Sequence, residues 1–133
     1  SGAPAQEGYE QVDFETLLTQ SDIISVHAPL NEHTEGLINS KAFEKMKSSC
    51  IFLNLGRGPI VDEQALYNAL VRNQIAAAGL DVLCKEPMST DNPLLKIKDS
   101  KRLLITPHIA WASVEARTHL MEIIHGQVKD FFA

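Results

Sequence analysis

What the 133-residue sequence lacks narrows its possible work. No run approaches the ~20 apolar residues that cross a bilayer. The start, Ser1-Gly2-Ala3-Pro4-Ala5, has no basic flank leading into an apolar stretch, so neither a membrane span nor a secretory leader is expected. Basic residues are in the minority, 12 against 17 acidic, for a net charge of −5. That balance argues against nucleic acid as a partner. It leaves room for a small anionic substrate, because one well-placed arginine can dominate a pocket. Cysteines are scarce: Cys50 and Cys84 show no metal-like pairing and read as small apolar fillers in a reducing cytosol. His119 and His125 miss the i, i+4 spacing of a helical metal pair, so no metal site is expected. There is no Gly-x-Ser-x-Gly elbow, no P-loop and no Gly-x-Gly-x-x-Gly. An initiator methionine is also missing, which suggests a cut chain or a tag remnant.

What is present alternates. A hydrophobic fraction of 44% and a charged fraction of 22% are ordinary for one soluble domain with one core. Asp22–Ala28, Cys50–Leu55, Ile75–Val82 and Arg102–Thr106 are short apolar runs, the first, second and fourth closed by Pro29, Gly56 and Pro107. Their near-continuous apolar character predicts strands covered on both faces. Helical segments lie between them. Phe14, Leu17 and Leu18 follow a capping Asp13, and Ala42, Phe43 and Met46 follow Ser40. Ala65, Leu66, Ala69 and Leu70 follow Asp62 and run toward Asn73. A last helix from Ser113 sets Leu120, Met121, Ile124, Val128 and Phe131 on one side, with a bend or close contact expected at Gly126. Strands alternating with helices give right-handed crossovers and a parallel α/β sheet. The long irregular stretch Lys85–Lys101 is of the length that is often functional.

In an open parallel sheet, ligands bind beyond the carboxyl ends of the strands. Those ends carry His27-Ala28-Pro29-Leu30, Gly56-Arg57-Gly58, Asp81 with Glu86-Pro87, and Pro107-His108-Ile109-Ala110-Trp111. Taken singly, each charged residue has a plain explanation: a turn arginine, a solvated glutamate, a hydrogen-bonded histidine, an aspartate accepting backbone N–H groups. Gathered on one edge, they suggest chemistry. An arginine fork between two glycines can meet a carboxylate bidentately. A histidine transfers protons near neutral pH, and a carboxylate beside it favours its charged form and fixes the ring tautomer.

Three segments resemble the D-isomer-specific 2-hydroxyacid dehydrogenases. They are Leu17 through Leu30 running on to Thr34 and Gly36–Asn39, then Met46 through Asp62 with Ala65-Leu66, and finally Gly79–Val82 with Glu86-Pro87 and Thr106–Trp111. They span nearly the whole chain in family order. The His-Ile-Ala-Trp-Ala-Ser stretch at 108–113 is closest to the glycerate dehydrogenase and hydroxypyruvate reductase branch. The resemblance implies a Rossmann-type parallel sheet, NAD as cofactor with NADP not excluded, and a small 2-oxo or 2-hydroxy acid substrate. By the same resemblance, Arg57 binds the substrate carboxylate, His108 is the acid–base and Glu86 its partner. Asp81 would orient the nicotinamide carboxamide. Ala28, Pro29 and Thr34 lie along the adenosine side, and Leu55, Gly56, Ala110 and Trp111 line the cleft near the nicotinamide ribose.

The family's glycine-rich pyrophosphate loop is not among these segments. The chain is therefore expected to be a partial dinucleotide-binding domain, residues 1–112, followed by a C-terminal helix, 113–133. In the family that helix packs on a substrate domain absent here. The first strand is then expected to be an open edge. Activity is not expected of the isolated piece, and association into a homo-oligomer is. Two other readings stand beside a cytoplasmic oxidoreductase. One is a corepressor-like regulatory module reusing the fold, which can keep the same three residues. The other is a formate dehydrogenase relative, which characteristically has glutamine where Glu86 stands.

Overall fold

The computed structural model describes residues 8–132. Four strands, β1 Ile23–Val26, β2 Ile51–Asn54, β3 Ala77–Leu80 and β4 Leu103–Ile105, form one parallel sheet in sequence order. Each falls inside its expected apolar run. Three helices precede or connect them: α1 Phe14–Gln20, α2 Ser40–Lys45 and α3 Glu63–Val71. Asp13 caps α1 by accepting from Thr16 N, and Asp62 caps α3 by accepting from Ala65 N. At α2 the cap is Asn39 rather than Ser40: the Asn39 amide oxygen accepts from both Lys41 N and Ala42 N, so Ser40 is drawn into the first turn.

The parallel register lines up Ile24, Phe52, Ala78 and Leu103 in one row, and Val26, Asn54, Leu80 and Ile105 in another. Both rows share a face, because side chains alternate along a strand. Against that face pack Leu18 of α1, Ala42 and Phe43 of α2, and Ala65, Leu66, Ala69 and Leu70 of α3. Phe43 and Phe52 meet edge to face with centroids 5.5 Å apart. Such a pair contributes about 0.5–1.5 kcal/mol beyond its burial. Arg102 closes the helix layer onto β4. Its guanidinium donates to the carbonyls of Leu70, Ile75 and Ala76 and to the Asn73 side chain, satisfying the end of α3. Asn73 itself sits at φ +56°, the left-handed conformation that asparagine tolerates best after glycine.

The opposite face differs from expectation. Ile23 and Leu104 are each 61% exposed, and Ile51 is exposed beside them. The apolar runs predicted cover on both sides, but α1, α2 and α3 all contribute to one core, leaving the other face of the described sheet bare. The last helix, α4 Val114–Phe131, is capped by Ser113 and buries none of its residues. Leu120, Met121, Ile124, Val128 and Phe131 all face solvent. A β-carbon at Gly126 would meet nothing within 4 Å, so the close contact expected there is not made. No helix among the described residues is long and apolar enough to cross a membrane.

Candidate active site

Parallel strands put all four carboxyl ends on one edge, and the backbone stitches those ends together. Leu55 N donates to Val26 O, Asp81 N to Asn54 O, and Thr106 N to Leu80 O. The turns pack as closely as the strands. A β-carbon on Gly56 would lie 2.9 Å from Ala28 O, and one on Gly58 would lie 2.0 Å from the Leu83 carbonyl. Glycine is required at both positions because backbone touches backbone.

Asn54, at 1% exposure, shapes the Gly56-Arg57 turn. Its amide oxygen accepts from Gly56 N at 3.2 Å and its Nδ2 donates to Arg57 O at 3.0 Å. Arg57 spends one guanidinium N–H on its own Gly56 carbonyl, at 2.9 Å. The rest of the fork stays at the exposed surface of the turn. Downstream of β1, Thr34 closes its loop on itself: the hydroxyl donates to Pro29 O and accepts from Asn31 N.

Asp81 organises the other half of the edge. It is 3% exposed, yet its carboxylate is well supplied with donors. Oδ1 accepts from the Thr106 hydroxyl at 2.6 Å and from Ile109 N at 2.8 Å, and Oδ2 accepts from Ala110 N at 2.8 Å. Burial pushes this carboxyl up, but the Thr106, Ala110 and Ile109 hydrogen bonds and the nearby His108 outweigh it and hold it below the ordinary aspartate value. The turn it anchors carries His108 at φ +56°, a strained conformation for a non-glycine residue. The His108 backbone is fixed at both ends: its N–H donates to Thr106 O and its carbonyl accepts from Trp111 Nε1, at 3.0 and 2.9 Å. Its ring Nδ1 lies 2.9 Å from Glu86 Oε2. Glu86 Oε1 accepts from Leu83 N, and these contacts, with His108 foremost, hold the Glu86 carboxyl below the ordinary glutamate range.

Asp81, Glu86 and His108 line one cavity of about 640 Å³, walled by Leu83, Pro87, Met88, Leu95, Ile105, Thr106 and Pro107. Arg57, Ala28, Pro29, Thr34, Leu55, Gly56 and Ala110 do not line it. Trp111 instead borders a second hollow, against Val114, Leu120 and Met121 of α4. Cys50 is buried as expected, whereas Cys84 is exposed and is no core filler, because it lies in the loop that leaves β3. Among the described residues no group of His, Cys, Asp and Glu could hold a metal. Sequence patterns assign no role to Asn54 and Thr106. A buried polar residue directly before a turn glycine, and a hydroxyl two residues before the histidine, are the signals that mark them.

The model of the D-isomer specific 2-hydroxyacid dehydrogenase NAD binding domain matches residues 2–110. The chain belongs to that family. Among its dehydrogenase relatives, the hydroxypyruvate reductase of Blautia hydrogenotrophica is 46% identical over 125 residues, 94% of this chain and 38% of that protein. The acyclic imino acid reductase solved with NADPH and D-Arg superposes with a TM-score of 0.85 at 37% identity, over 96% of this chain and 40% of that one. D-lactate dehydrogenase with NAD+ from Lactobacillus jensenii gives 0.72 at 36%, over 84% of this chain and 37% of that one. The chain thus spans about two fifths of the length of these relatives. Asp81 Oδ2 accepts one hydrogen bond, from Ala110 N, and keeps a second lone pair.

The depressed Asp81 and Glu86 carboxyls make a pH prediction for this edge of the sheet. A carboxyl with a lowered folded value stabilises above its ordinary value and loses that contribution as pH falls through the folded one. Trp111 is the sole tryptophan and is bonded to His108 O, so its fluorescence reports on the turn that Asp81 holds. Loss of the turn, read as the acid transition in this emission, should have its midpoint below the ordinary aspartate value of 3.8. A midpoint above that value would contradict the hydrogen-bonded, ionised Asp81 described here.

Proposed function

We propose that this chain supplies the proton-transfer and nicotinamide-side residues of an NAD(P)-dependent dehydrogenase. It would interconvert a D-2-hydroxy acid and its 2-oxo acid, of glycerate and hydroxypyruvate type. The observation that carries the reading is the 2.9 Å contact between His108 Nδ1 and Glu86 Oε2 inside a cavity that Asp81 also lines. An ionised Glu86 can only accept, so Nδ1 must carry a proton and Nε2 is left for the substrate. In the imidazolium form Nε2 gives its proton to the carbonyl oxygen as reduction proceeds. In the neutral form it takes the hydroxyl proton during oxidation. A nicotinamide bound here would supply or receive the hydride.

Asp81 is proposed to hold the carboxamide through its remaining lone pair, setting the ring against the substrate carbon. Arg57 is proposed to bind the substrate carboxylate with the free edge of its guanidinium and to steady the charge growing on the 2-oxo oxygen. Ala28, Pro29, Thr34, Leu55, Gly56, Ala110 and Trp111 are proposed to flank the cofactor along the strand ends. Resemblance to hydroxypyruvate reductase at 46% identity favours that substrate over lactate or formate, and a homo-oligomeric, cytoplasmic enzyme completes the proposal.

The test is a substrate survey with the protein that carries this chain. NADH and NADPH oxidation are followed with hydroxypyruvate, glyoxylate, pyruvate and a 2-imino acid. Hydroxypyruvate or glyoxylate is expected to turn over fastest. Binding of NADH without turnover of any 2-oxo acid would replace the enzyme reading with that of a regulatory module.

A further inference from the structure

The loop that carries Glu86 is held by a residue outside the cavity. Glu63 stands in the first turn of α3, a helix rooted in the core through Ala65, Leu66, Ala69 and Leu70. Its Oε1 accepts from Cys84 N at 2.7 Å and its Oε2 accepts from Asn92 Nδ2 at 2.7 Å. Cys84 and Asn92 lie on either side of Glu86 in sequence, so one carboxylate clasps both ends of its loop. Asn92 is itself well anchored: it is 8% exposed, and its Oδ1 accepts from Leu94 N at the head of the short 3-10 turn Pro93–Lys96. Within the loop, Glu86 is braced by its neighbour Leu83 N. That contact holds Glu86 from the β3 side only, and the far end of the loop is fixed through Asn92 on Glu63.

We propose that Glu63 is a positioning residue, clasping the loop 84–92 to α3 so that Glu86 Oε2 meets His108 Nδ1. The inference rests on the His108–Glu86 reading given above, but it can fail separately. The Cys84 residue is exposed, but its sulfur is partly covered against Val61 O, and that burial first and the Glu63 carboxylate second push the thiol up to about 11.

The experiment is a carbon-13 NMR titration of the Glu86 carboxyl in the full chain, read beside the nitrogen-15 spectrum of the His108 ring. In wild type Glu86 titrates below its ordinary 4.5. Glu63→Ala should return it toward that value and remove the protonated Nδ1 signature, while the rest of the amide spectrum keeps its folded pattern. Asn92→Ala cuts one of the two tethers and should act in the same direction; it serves where Glu63→Ala fails to fold. Combining Glu63→Gln with Asn92→Asp exchanges donor and acceptor and should restore the wild-type titration. A merely structural clasp has no reason to move the Glu86 titration in a chain that stays folded. In the intact dehydrogenase, Glu63→Ala is expected to lower kcat roughly tenfold, the equivalent of one hydrogen bond, with KM unchanged. An unchanged Glu86 titration in a folded Glu63→Ala or Asn92→Ala chain would overturn the proposal. Turnover that survives His108→Ala would instead overturn the catalytic reading and leave the titration result standing.

Discussion

If the protein that carries this chain turns over a 2-oxo acid as proposed, replacing His108 by alanine should lower that turnover by about 10²–10⁴-fold, the usual worth of a positioned acid–base group. Cofactor affinity should change little, because Asp81, the residue proposed to hold the carboxamide, keeps its own donors. Thr106, Ile109 and Ala110 reach it through a hydroxyl and two backbone N–H groups, none of which belongs to the imidazole. The two halves of the expectation separate chemistry from collapse of the turn. Loss of turnover with intact NADH binding marks His108 as the proton carrier. Loss of both would mean that the φ +56° turn had opened and Asp81 had been disturbed with it. His108→Asn sharpens the comparison, since asparagine accepts the left-handed backbone readily but has no titrating group near neutral pH. It should lose turnover as fully as alanine while preserving the Trp111 fluorescence of the turn. Activity within a few-fold of wild type in either variant would end the acid–base assignment.

Why this histidine is placed as it is could be read only partly from the sequence. Four apolar runs, three of them closed by proline or glycine, announce four strand ends, and a parallel sheet must put those ends on one edge. That made the company of Asp81, Glu86 and His108 in one cavity legible, with Arg57 on the same edge but outside it. Caps were legible where one side chain had an unchallenged claim, as at Asp13, Asp62 and Ser113. At Asn39-Ser40 two adjacent residues could cap, and the longer asparagine, reaching two N–H groups, takes the place. Sheet coverage was misread, because a continuous apolar run records that a strand has no polar face without saying which face its own helices cover. Ile23, Ile51 and Leu104 are apolar and exposed. Long-range hydrogen bonds were the least legible. Asp81 takes N–H groups from residues more than twenty positions away, and Glu63 reaches Cys84 and Asn92 across similar gaps. Periodicity and capping rules act within a few residues and carry no information at that distance. The guanidinium adds a further point. Sequence order brought Arg57 to the right edge, but its bond to its own Gly56 carbonyl, outside the walls of the His108 cavity, depends on a turn set by buried Asn54.

The turn containing Arg57 and the loop containing Glu86 are joined at one point, and that point predicts the largest effect on stability. Gly58 is buried, and a β-carbon there would lie 2.0 Å from both the Leu83 carbon and oxygen and 2.4 Å from Cys84 N. The obstructing atoms are all backbone, so no rotamer change relieves the overlap. Ordinary contact begins at 3.4 Å, so the two segments would have to part by more than an ångström. Parting them strains the parallel pairing just below, where Asp81 N donates to Asn54 O, and drags Cys84 from Glu63. Gly58→Ala should therefore cost roughly 3 kcal/mol or more, at or beyond the upper end of overpacking penalties. The melting temperature should fall by roughly 10 °C. Gly126→Ala supplies the contrast within the same chain. Its β-carbon meets nothing within 4 Å in the interior of α4, so alanine should be neutral or should gain up to about 1 kcal/mol from helix propensity. Thermal melts of the two variants side by side distinguish a steric requirement for glycine from a general sensitivity to its loss. If both melt with wild type, the close approach of the Arg57 turn to the Glu86 loop is not a feature of the folded protein.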